Sequence, residues 1–450
     1  MSKKRYCIVG TGIRALNFLT PMVTLYRDAC ELVALCDPNP GRMQAYNDIL
    51  QQEHGLAPVA TYSADQFDQL LAEQRPDTVV VVSKDSTHHD YIVRALRAGC
   101  AVVTEKPMTI DAARCRQVLA AVAETGGDVR VAFNYRWSAH RTRVRELLAT
   151  GTIGRVRSVN LEYLLNTAHG ADYYHRWHAT MAESGGLLVH KSTHHFDLVN
   201  WWVNGIPEQV VAYGQLDFYG RANAIARGDE ALTRYDRYTH QAAAATDPFG
   251  YDLSTDPRGA QLYLRTEAHD GYIRDRNVFR EDIDIFDNMS VLVRYRTGIL
   301  LNYSLVSFSP REGMRVTVNG DRGRLEYEEW QATDIRAQDG SRIPLPPEAS
   351  DLDQARERIV VYPHFRPSYE VKVARYPGGH DGGDPKLTEQ IFSPAAPADP
   401  HGRHAGPEQG AASILVGIAA NHSIAHGNRP VRLADLVALR PEATQLSELD

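Results

Sequence analysis

Cysteine is scarce in this sequence, with five in 450 residues and none beyond Cys115. The cysteines form no CxxC pair and no regular spacing, which excludes a disulfide framework and predicts a reducing, cytoplasmic environment. No apolar run approaches the roughly 20 residues that a membrane-spanning helix needs. The apolar stretch near the N-terminus is short and broken by glycines, so a secretory signal is disfavoured as well.

The sequence also has fewer basic than acidic residues: it contains 49 Lys and Arg and 56 Asp and Glu, which gives a formal net charge of −7. This balance disfavours nucleic acid and anionic membrane surfaces as partners. The hydrophobic content of 43% and the charged content of 23% are those of an ordinary globular protein. A chain of this length can form two domains.

The first part of the chain alternates apolar runs with amphipathic stretches. Runs such as "RYCIVG", "LVALCD" and "TVVVVS" predict strands buried on both faces. Stretches between them, such as "DYIVRALRAG", have helical periodicity and end at glycine. This alternation predicts an α/β Rossmann domain with a doubly wound parallel sheet over residues 1–135.

From residue 136 the pattern changes to alternating strands. Runs such as "VRSVNLEYL" and "MSVLVRYRTGILLNYSLVSF" predict an α+β domain over residues 136–450, with a large open-faced, mainly antiparallel sheet. The free face of such a sheet suits a homodimer or homotetramer. We predict an insertion at residues 220–285, a surface-wrapping segment at 331–411, and a helix at 411–427 that packs back onto the core.

The segment "IVGTGIRA" follows the first predicted strand and opens the first helix. Gly10 and Gly12 there allow a tight turn that brings a pyrophosphate to the helix N-terminus, and Ala15 replaces the third glycine of the fingerprint. Asp37 ends the second strand, where a carboxylate bonds a ribose 2′-hydroxyl and favours NAD. Arg42 keeps NADP open as an alternative.

A second motif, Glu105–Lys106–Pro107, follows the fifth predicted strand. At the carboxyl edge of a parallel sheet it points a charged pair into the ligand crevice. A cis peptide at Pro107 would aim Lys106 inward. The alternative is a surface lysine at a strand end.

Together with "CDPNPGR", "STHHDYIVRALRAG", "NYRW" and the glycine–histidine–aspartate pattern near residue 190, these motifs resemble the Gfo/Idh/MocA family over residues 4–205. The resemblance implies a Rossmann domain, an open-sheet domain, NAD(P) and a sugar or polyol substrate. Trp177 would lie near the nicotinamide and Lys106 beside the reacting carbon. The resemblance assigns dinucleotide contacts to Gly10, Thr11, Gly12, Ile13, Arg14, Asp37, Arg42, Ser83, His88, Glu105, Lys106 and Asn134.

The stretch "GGLLVHKSTHHFDLVNWW" places His190, His194 and Asp197 on one face of a predicted helix. This polar face fits acid–base chemistry or a solvated helix surface. A zinc site is disfavoured, because Lys191 stands where the HExxH motif has its glutamate. We therefore predict no metal.

The family resemblance gives His194 and Asp197 acid–base roles, but His190 stands where the family has an aspartate. A histidine at this point also occurs in the NAD-dependent α-N-acetylgalactosaminidases, whose late H-G-G-x-D segment resembles "GGHDGGD" here, with His380 and Asp384. An imidazole can act as either acid or base near neutral pH. The alternative for the glycine-rich segment is a flexible turn.

The substrate side is predicted from aromatic and basic residues. The segment "ADYYHRWH" contains Tyr173, Arg176 and His178 close to Trp177, a combination that suits sugar rings or an interface. In the insertion, Arg274 and Arg276 could clamp an anionic substituent. The predicted substrate-binding residues are Lys106, Tyr173, Arg176, His178, His190, Lys191, His194, Arg274 and His380.

The leading hypothesis is an NAD-dependent oxidoreductase acting on a secondary hydroxyl of a carbohydrate, with Lys106, His190 and His194 as catalytic residues. Either His194 or Lys106 removes the hydroxyl proton while the other orients the oxygen. A close alternative is an NAD-dependent glycoside hydrolase that uses transient C3 oxidation, elimination, water addition and re-reduction. A second alternative is a non-catalytic nucleotide-binding sensor.

Overall fold

A computed structural model of the chain describes residues 2–333, 335–336, 342–344, 353–374 and 376–449. Its N-terminal part is a six-stranded sheet in the order β3-β2-β1-β4-β5-β6, and every pairing is parallel. The strands are β1 Lys4–Val9, β2 Cys30–Cys36, β3 Ala60–Tyr62, β4 Thr78–Val81, β5 Ala101–Thr104 and β6 Val129–Val131. The helices are α1 Leu16–Val23, α2 Pro40–His54, α3 Phe67–Gln74, α4 His88–Arg97 and α5 Ala112–Thr125. This arrangement confirms the predicted Rossmann fold.

The second sheet has nine strands in the order β16-β15-β12-β11-β7-β10-β9-β8-β17. Only the pairing of β7 with β10 is parallel among the described strands of this sheet, which confirms the mainly antiparallel prediction. The strands are β7 Val156–Asn166, β8 Pro207–Gln215, β9 Asn288–Tyr295, β10 Leu300–Ser309, β11 Gly313–Gly320, β12 Gly323–Trp330, the separate pair β13 Ile335–Arg336 and β14 Arg342–Ile343, then β15 Arg356–Pro363, β16 Tyr369–Val371 and β17 Val431–Arg432.

The helices that follow the Rossmann domain are α6 Ala139–Ala149, α7 Thr167–His175, α8 Met181–Ser184, α9 Leu187–His190, α10 Thr193–Val203, α11 Arg221–Ala226, α12 Pro257–Gly259, α13 Gly383–Phe392, α14 Pro407–Ala425 and α15 Leu433–Leu436. Of these, α6, α7, α14 and α15 lie against strands of the nine-stranded sheet. The predicted returning helix is α14, and Gly417 brings it against α9, since a Cβ there would stand 2.1 Å from the Leu188 carbonyl oxygen.

The segment at 331–411, which was predicted to wrap the surface, also contributes strands to the second sheet and a helix to the first domain. Part of it lies outside the described residues, but β15 and β16 extend the sheet edge and α13 packs on the Rossmann domain. Leu387 and Phe392 of α13 are buried, and the Phe392 ring meets the Tyr6 ring edge-on at 5.3 Å. The apolar residues of α13 therefore join the N-terminal core, and the domain division at residue 135 stays a prediction.

The outer face of the nine-stranded sheet carries large apolar side chains. Tyr213, Leu292 and Leu300, on β8, β9 and β10, are all exposed. This face fits the homodimer or homotetramer, which stays a prediction. In the described part of the chain, we find no helix with both the length and the apolarity to cross a bilayer. All five cysteines are buried free thiols.

Candidate active site

One cavity of about 1200 Å³ opens at the carboxyl edge of the parallel sheet, between the two domains. Most of the predicted site residues line it, but Thr11, Asp197, Arg276 and Asp384 do not. The backbone amide of Thr11 donates to the Asp37 carboxylate at 2.7 Å, so this residue shapes the turn beneath the cavity. The chain folding thus brings the predicted residues together, while their individual roles stay predictions.

The glycine-rich turn forms one wall of the cavity. Gly10 has a φ of +92°, and a Cβ there would stand 2.5 Å from the Val82 carbonyl oxygen, so only glycine lets β1 and the 82–83 loop approach this closely. The Ile13 amide points away from the sheet and donates to the Tyr263 hydroxyl at 2.8 Å. Tyr263 belongs to the insertion and was not predicted as a site residue.

Asp37 and Arg42, the two residues predicted to lie at the ribose, line the cavity together. Asp37 accepts hydrogen bonds from the amides of Thr11 and Asn39 and from Arg42 at 3.0 Å. Arg42 also pairs with Asp270 of the insertion at 2.5 Å. Two carboxylates around one guanidinium leave excess negative charge, which opposes a 2′-phosphate and removes the reason to favour NADP.

Asp37→Asn should lower the preference for NAD over NADP by about tenfold, since it removes the carboxylate that a 2′-hydroxyl can bond. The dissociation constants of both dinucleotides, measured by calorimetry, give this ratio. Asp48→Asn, on the following helix α2 and away from the cavity, is the matched control and should leave the ratio unchanged. An unchanged ratio in Asp37→Asn would assign the discrimination to other residues.

The buried polar atoms of the cavity fit a dinucleotide. The Asn134 amide donates to Asp384 at 2.8 Å, but its Oδ1 is buried and has no partner among the described residues. Arg14 is held by Glu105 at 2.6 Å and by Asp384 at 3.1 Å. Both ring nitrogens of His88 face backbone carbonyl oxygens, those of Pro107 at 2.8 Å and Ser83 at 3.0 Å. His88 thus joins these two loops, and its contact with the dinucleotide stays a prediction.

Lys106 projects from the end of β5 into the middle of the cavity. Its peptide bond to Pro107 is cis, and its Nζ donates to the His190 carbonyl oxygen at 3.2 Å. Burial lowers the pKa of Lys106 to about 8, against the opposing effect of Asp85 and Glu105. A neutral amine is therefore accessible near physiological pH.

His190 is paired with Asp85, a residue that sequence reasoning missed. The His190 Nδ1 lies 2.5 Å from an Asp85 carboxylate oxygen. Burial lowers the pKa of His190 and raises that of Asp85, so both shifts disfavour the fully charged pair. Asp85 follows β4 at the same sheet edge as Lys106, and this position could have identified it as a site residue from the sequence.

His194 lies flat on Tyr135, with ring centroids 4.0 Å apart and an interplanar angle of 9°. Its Nδ1 is buried and has no hydrogen-bond partner among the described residues. Burial, reinforced by Lys106 and Lys191, holds the pKa of His194 well below its usual range, so the imidazole is neutral. Lys191 donates to the Tyr135 hydroxyl at 3.1 Å. Tyr135 was present in the "NYRW" motif but was not predicted as a site residue.

The prediction of one helix carrying His190, His194 and Asp197 is wrong. Residues 191–192 separate α9 from α10, and Asp197 points into the interior. Its carboxylate pairs with Arg136 at 2.6 and 2.8 Å, and both side chains are fully buried. Asp197 thus stabilises helix packing and takes no part in the cavity.

Aromatic and basic side chains line the cavity beside His190. The His178 ring stacks on Trp177 at 3.5 Å and lies 4.2 Å from the His190 ring, and Tyr173 lies 5.5 Å from His190. These rings form a wall that suits a sugar.

Arg176 and Arg274 share Asp172, at 2.5 and 2.7 Å. Because two guanidiniums share one carboxylate, one positive charge remains in excess. Nη1 of Arg274 is buried without a hydrogen-bond partner among the described residues. Arg276 does not join them: it is partly exposed, pairs with Asp282 at 2.6 Å and lies outside the cavity lining.

The late glycine-rich segment closes the opposite side. His380 Nδ1 lies 2.7 Å from Asp384, and its ring is 5.7 Å from Tyr135. Because Asp384 also binds Arg14 and Asn134, this segment joins the cofactor turn to the predicted catalytic residues. The alternative interpretation of this segment, a flexible turn without attachments, therefore does not fit these contacts.

A carboxylate cluster of Glu329, Glu357 and Asp381 lies at the far end of the cavity. The Arg141 guanidinium lies 2.7 Å from Glu329 and 3.4 Å from Asp381, so it compensates part of the negative charge, and the His140 ring lies 2.9 Å from Glu357. Burial and the neighbouring Glu329 raise the pKa of Asp381 to about 6. Among the described residues, the grouping with metal-ligand spacing is this cluster and not the histidine stretch.

Two models of one oxidoreductase family match the chain. The model for the NAD-binding Rossmann fold covers residues 4–133, and that for the C-terminal alpha/beta domain covers residues 145–433. A Bacillus subtilis protein named as an oxidoreductase, YteT, is 35% identical over 97% of this chain and 99% of its own length. The inositol 2-dehydrogenase of Rhizobium meliloti is 34% identical over 46% of this chain and 57% of its own length.

A solved structure shows the same fold. The WlbA dehydrogenase of Bordetella pertussis, in complex with NADH and UDP-GlcNAcA, has a TM-score of 0.61 and 17% sequence identity, covering 96% of this chain and 99% of its own. The family model for the NAD-binding Rossmann fold matches this chain, and the cofactor is NAD.

Proposed function

The chain belongs to the Gfo/Idh/MocA oxidoreductase family, and from that premise we propose that it oxidises a secondary hydroxyl of a carbohydrate or glycoside by hydride transfer. The observation that carries the proposal is the meeting of Lys106, His190 and His194 in the cavity that the glycine-rich turn also lines. Bound NAD supplies the hydride acceptor, and the side chains handle the proton and orient the substrate.

Lys106 is the proposed proton acceptor. A general base works best when its pKa is close to the operating pH, and burial brings the pKa of Lys106 to about 8. The hydroxyl proton passes to Nζ as the carbon gives up its hydride, so an alcohol becomes a ketone. His194, which is neutral and has an unpartnered Nδ1, orients the same oxygen.

Glycoside cleavage by transient oxidation is the second candidate. Its support is that the cavity holds more proton-transfer groups than one hydride transfer needs, in particular the His190–Asp85 pair and Asp381. A ketone at C3 acidifies the C2 proton, which the His190–Asp85 pair would remove as the aglycone leaves. Asp381, protonated below its pKa of about 6, would donate to the leaving oxygen. Water then adds and the ketone regains its hydride and proton.

A single assay separates these outcomes. The protein is incubated with a panel of hexoses, inositols, uronic acids and p-nitrophenyl glycosides, with NAD in substoichiometric and in excess amounts. We expect a secondary alcohol of the panel to reduce NAD. Release of p-nitrophenol without accumulation of NADH would favour cleavage. NAD binding with no turnover of any compound would contradict both candidates and favour the sensor.

A further inference from the structure

Three basic side chains line the cavity close to its aromatic wall of Tyr173, Trp177 and His178: they are Arg176, Lys191 and Arg274. The oxidation proposed above does not use their charges, because a secondary alcohol is neutral. Their position also contrasts with the formal net charge of −7 of the whole chain. A charge removed from water needs a partner, either within the protein or on a ligand.

Lys191 is a buried cation without a carboxylate partner. Only 4% of the residue is exposed, its ammonium donates to the Tyr135 hydroxyl at 3.1 Å, and no carboxylate in the described part of the chain lies within ion-pair distance. The Tyr163 ring, whose centroid lies 5.0 Å from Nζ, adds a cation–π contact. Burial lowers the pKa of Lys191, but Tyr135 and Glu312, among its neighbours, raise it above its usual range, so the amine is charged. A buried ammonium in this state is stabilised by an anion that a ligand supplies.

Arg176 and Arg274 depend on the single carboxylate of Asp172. Its oxygens lie 2.5 Å from Arg176 and 2.7 Å from Arg274. One of the two guanidiniums neutralises this carboxylate, which leaves the charge of the other uncompensated. The Arg176 side chain keeps 20% of its surface exposed and lines the cavity, so its charge is accessible to a ligand.

A count of formal charges around His178 and His190 gives one positive charge in excess when the histidines are taken as neutral. The charged groups are four cations and three carboxylates: Lys106, Arg176, Lys191, Arg274, Asp85, Asp172 and Glu312. Glu105 also faces Lys106, but Arg14 neutralises it at 2.6 Å. A carboxylate carries one negative charge and a phosphate monoester nearly two, so the excess matches a carboxylate.

The buried histidines of the cavity respond to the same field. Burial holds the pKa of three of them well below the usual range, and the neighbouring cations lower it further: these are His178, His190 and His194. A group that gains a positive charge is therefore disfavoured among these rings. A negatively charged group is stabilised there for the same reason, which separates acidic sugars from neutral sugars and from amino sugars.

We propose that the substrate is a sugar acid whose carboxylate is held by Lys191 and Arg176. The proposal rests on the proposed hydride transfer and specifies its substrate class. Both cations act on the hydroxyl of Tyr173, so one ligand beside that ring can engage both. The carboxylate takes no part in bond breaking: the alcohol carbon gives its hydride to NAD and its proton to Lys106, and the charge-assisted hydrogen bonds hold the ring in place.

The test measures binding and needs no turnover. Protein saturated with NADH, which cannot oxidise an alcohol, is titrated by calorimetry with matched sugars that differ only at C6. Each series contains the uronate, its neutral methyl ester and the parent hexose, in the galacto, gluco, manno and gulo configurations. We expect a dissociation constant at least about tenfold lower for the uronate than for its ester in one or more series. The 6-sulfate and 6-phosphate of the preferred hexose should bind more weakly than the uronate.

Variants assign the discrimination to the two cations. Lys191→Met and Arg176→Met should each raise the dissociation constant of the uronate at least about tenfold and leave that of the ester nearly unchanged. Arg276→Met, two positions after Arg274, is the matched control, because Arg276 pairs with Asp282 and lies outside the cavity lining. Lys191→Met should also raise the melting temperature of the ligand-free protein, since it removes a buried charge that has no carboxylate partner.

Four results would overturn the proposal. They are uronates that bind no better than their esters in every series, tighter binding of the sulfate or phosphate ester, equal losses for uronate and ester in the variants, and a lower melting temperature in Lys191→Met, which would make Lys191 a support of the fold. A loss confined to NADH affinity would likewise contradict it and assign these charges to the cofactor. Failure of hydride transfer would appear separately, as a uronate that binds with this preference but does not reduce NAD.

Discussion

Lys106→Met is expected to lower kcat/KM for the best substrate of the panel by about 1000-fold, within the range that general acid–base groups contribute. The variant keeps the length of the side chain but has no nitrogen to accept the hydroxyl proton. Its measurement is single-turnover formation of NADH, with NAD affinity determined in parallel. Affinity should change little, because the substitution removes the proton acceptor and leaves Asp37 and the glycine-rich turn in place.

The pH dependence of kcat/KM tests the role of Lys106 more sharply than the loss of activity in Lys106→Met alone. Because burial sets its pKa at about 8, the neutral, proton-accepting amine is depleted as the pH falls below that value. Wild-type kcat/KM should therefore rise with pH and level off above about 8. The Lys106→Met variant should lack this rise. Wild-type activity that falls above the pKa would mean that the ammonium form is active, which contradicts the assignment.

Two further variants separate proton transfer from charge and from general damage. Lys106→Arg keeps a cation that cannot lose its proton at these pH values, so it should be about as inactive as the methionine variant. Recovery of activity by arginine would show that charge alone suffices. Lys84→Met changes another lysine of the cavity lining, which is exposed and lies 3.8 Å from Glu183, and should leave the chemical step intact.

The sequence was sufficient to predict the position of a site residue where that residue follows a buried strand. Gly10, Asp37 and Lys106 follow or end β1, β2 and β5, and the carboxyl ends of parallel strands meet at one sheet edge. Their convergence on one cavity could therefore be predicted from strand order and local motifs. Asp85 obeys the same rule, but no motif drew attention to it.

Contacts between distant segments could not be predicted in this way. The pairing of His190 with Asp85, and of Asp197 with Arg136, depends on how helices of the second domain pack on the first. Helical periodicity places His190 and Asp197 on one face, and only the break at residues 191–192 turns one toward the cavity and the other into the core. Leu262 of the predicted insertion is buried against the Rossmann domain, but it lies in a segment without regular periodicity, so its burial had no sequence signal.

His194→Ala is expected to lower kcat/KM by about 100-fold, less than the loss at Lys106, because His194 orients the reacting oxygen and does not keep its proton. The substitution also removes the ring that stacks on Tyr135 at 4.0 Å, a contact worth about 1 kcal/mol. Thermal unfolding is measured beside single-turnover NADH formation, so that lost stability and lost orientation are counted separately. His194→Asn, whose amide can still hydrogen-bond the hydroxyl, should recover part of the activity.

The adjacent His195 provides the matched control for this prediction. It is equally buried and bonds the Tyr303 hydroxyl at 2.8 Å, but it does not line the cavity. His195→Ala should lower the melting temperature while hydride transfer in the folded protein stays near the wild-type rate. If His194→Ala behaves in the same way, His194 supports the fold alone. Orientation of the substrate oxygen would then pass to the His190–Asp85 pair, and the His190→Ala variant would have to show the loss predicted for His194.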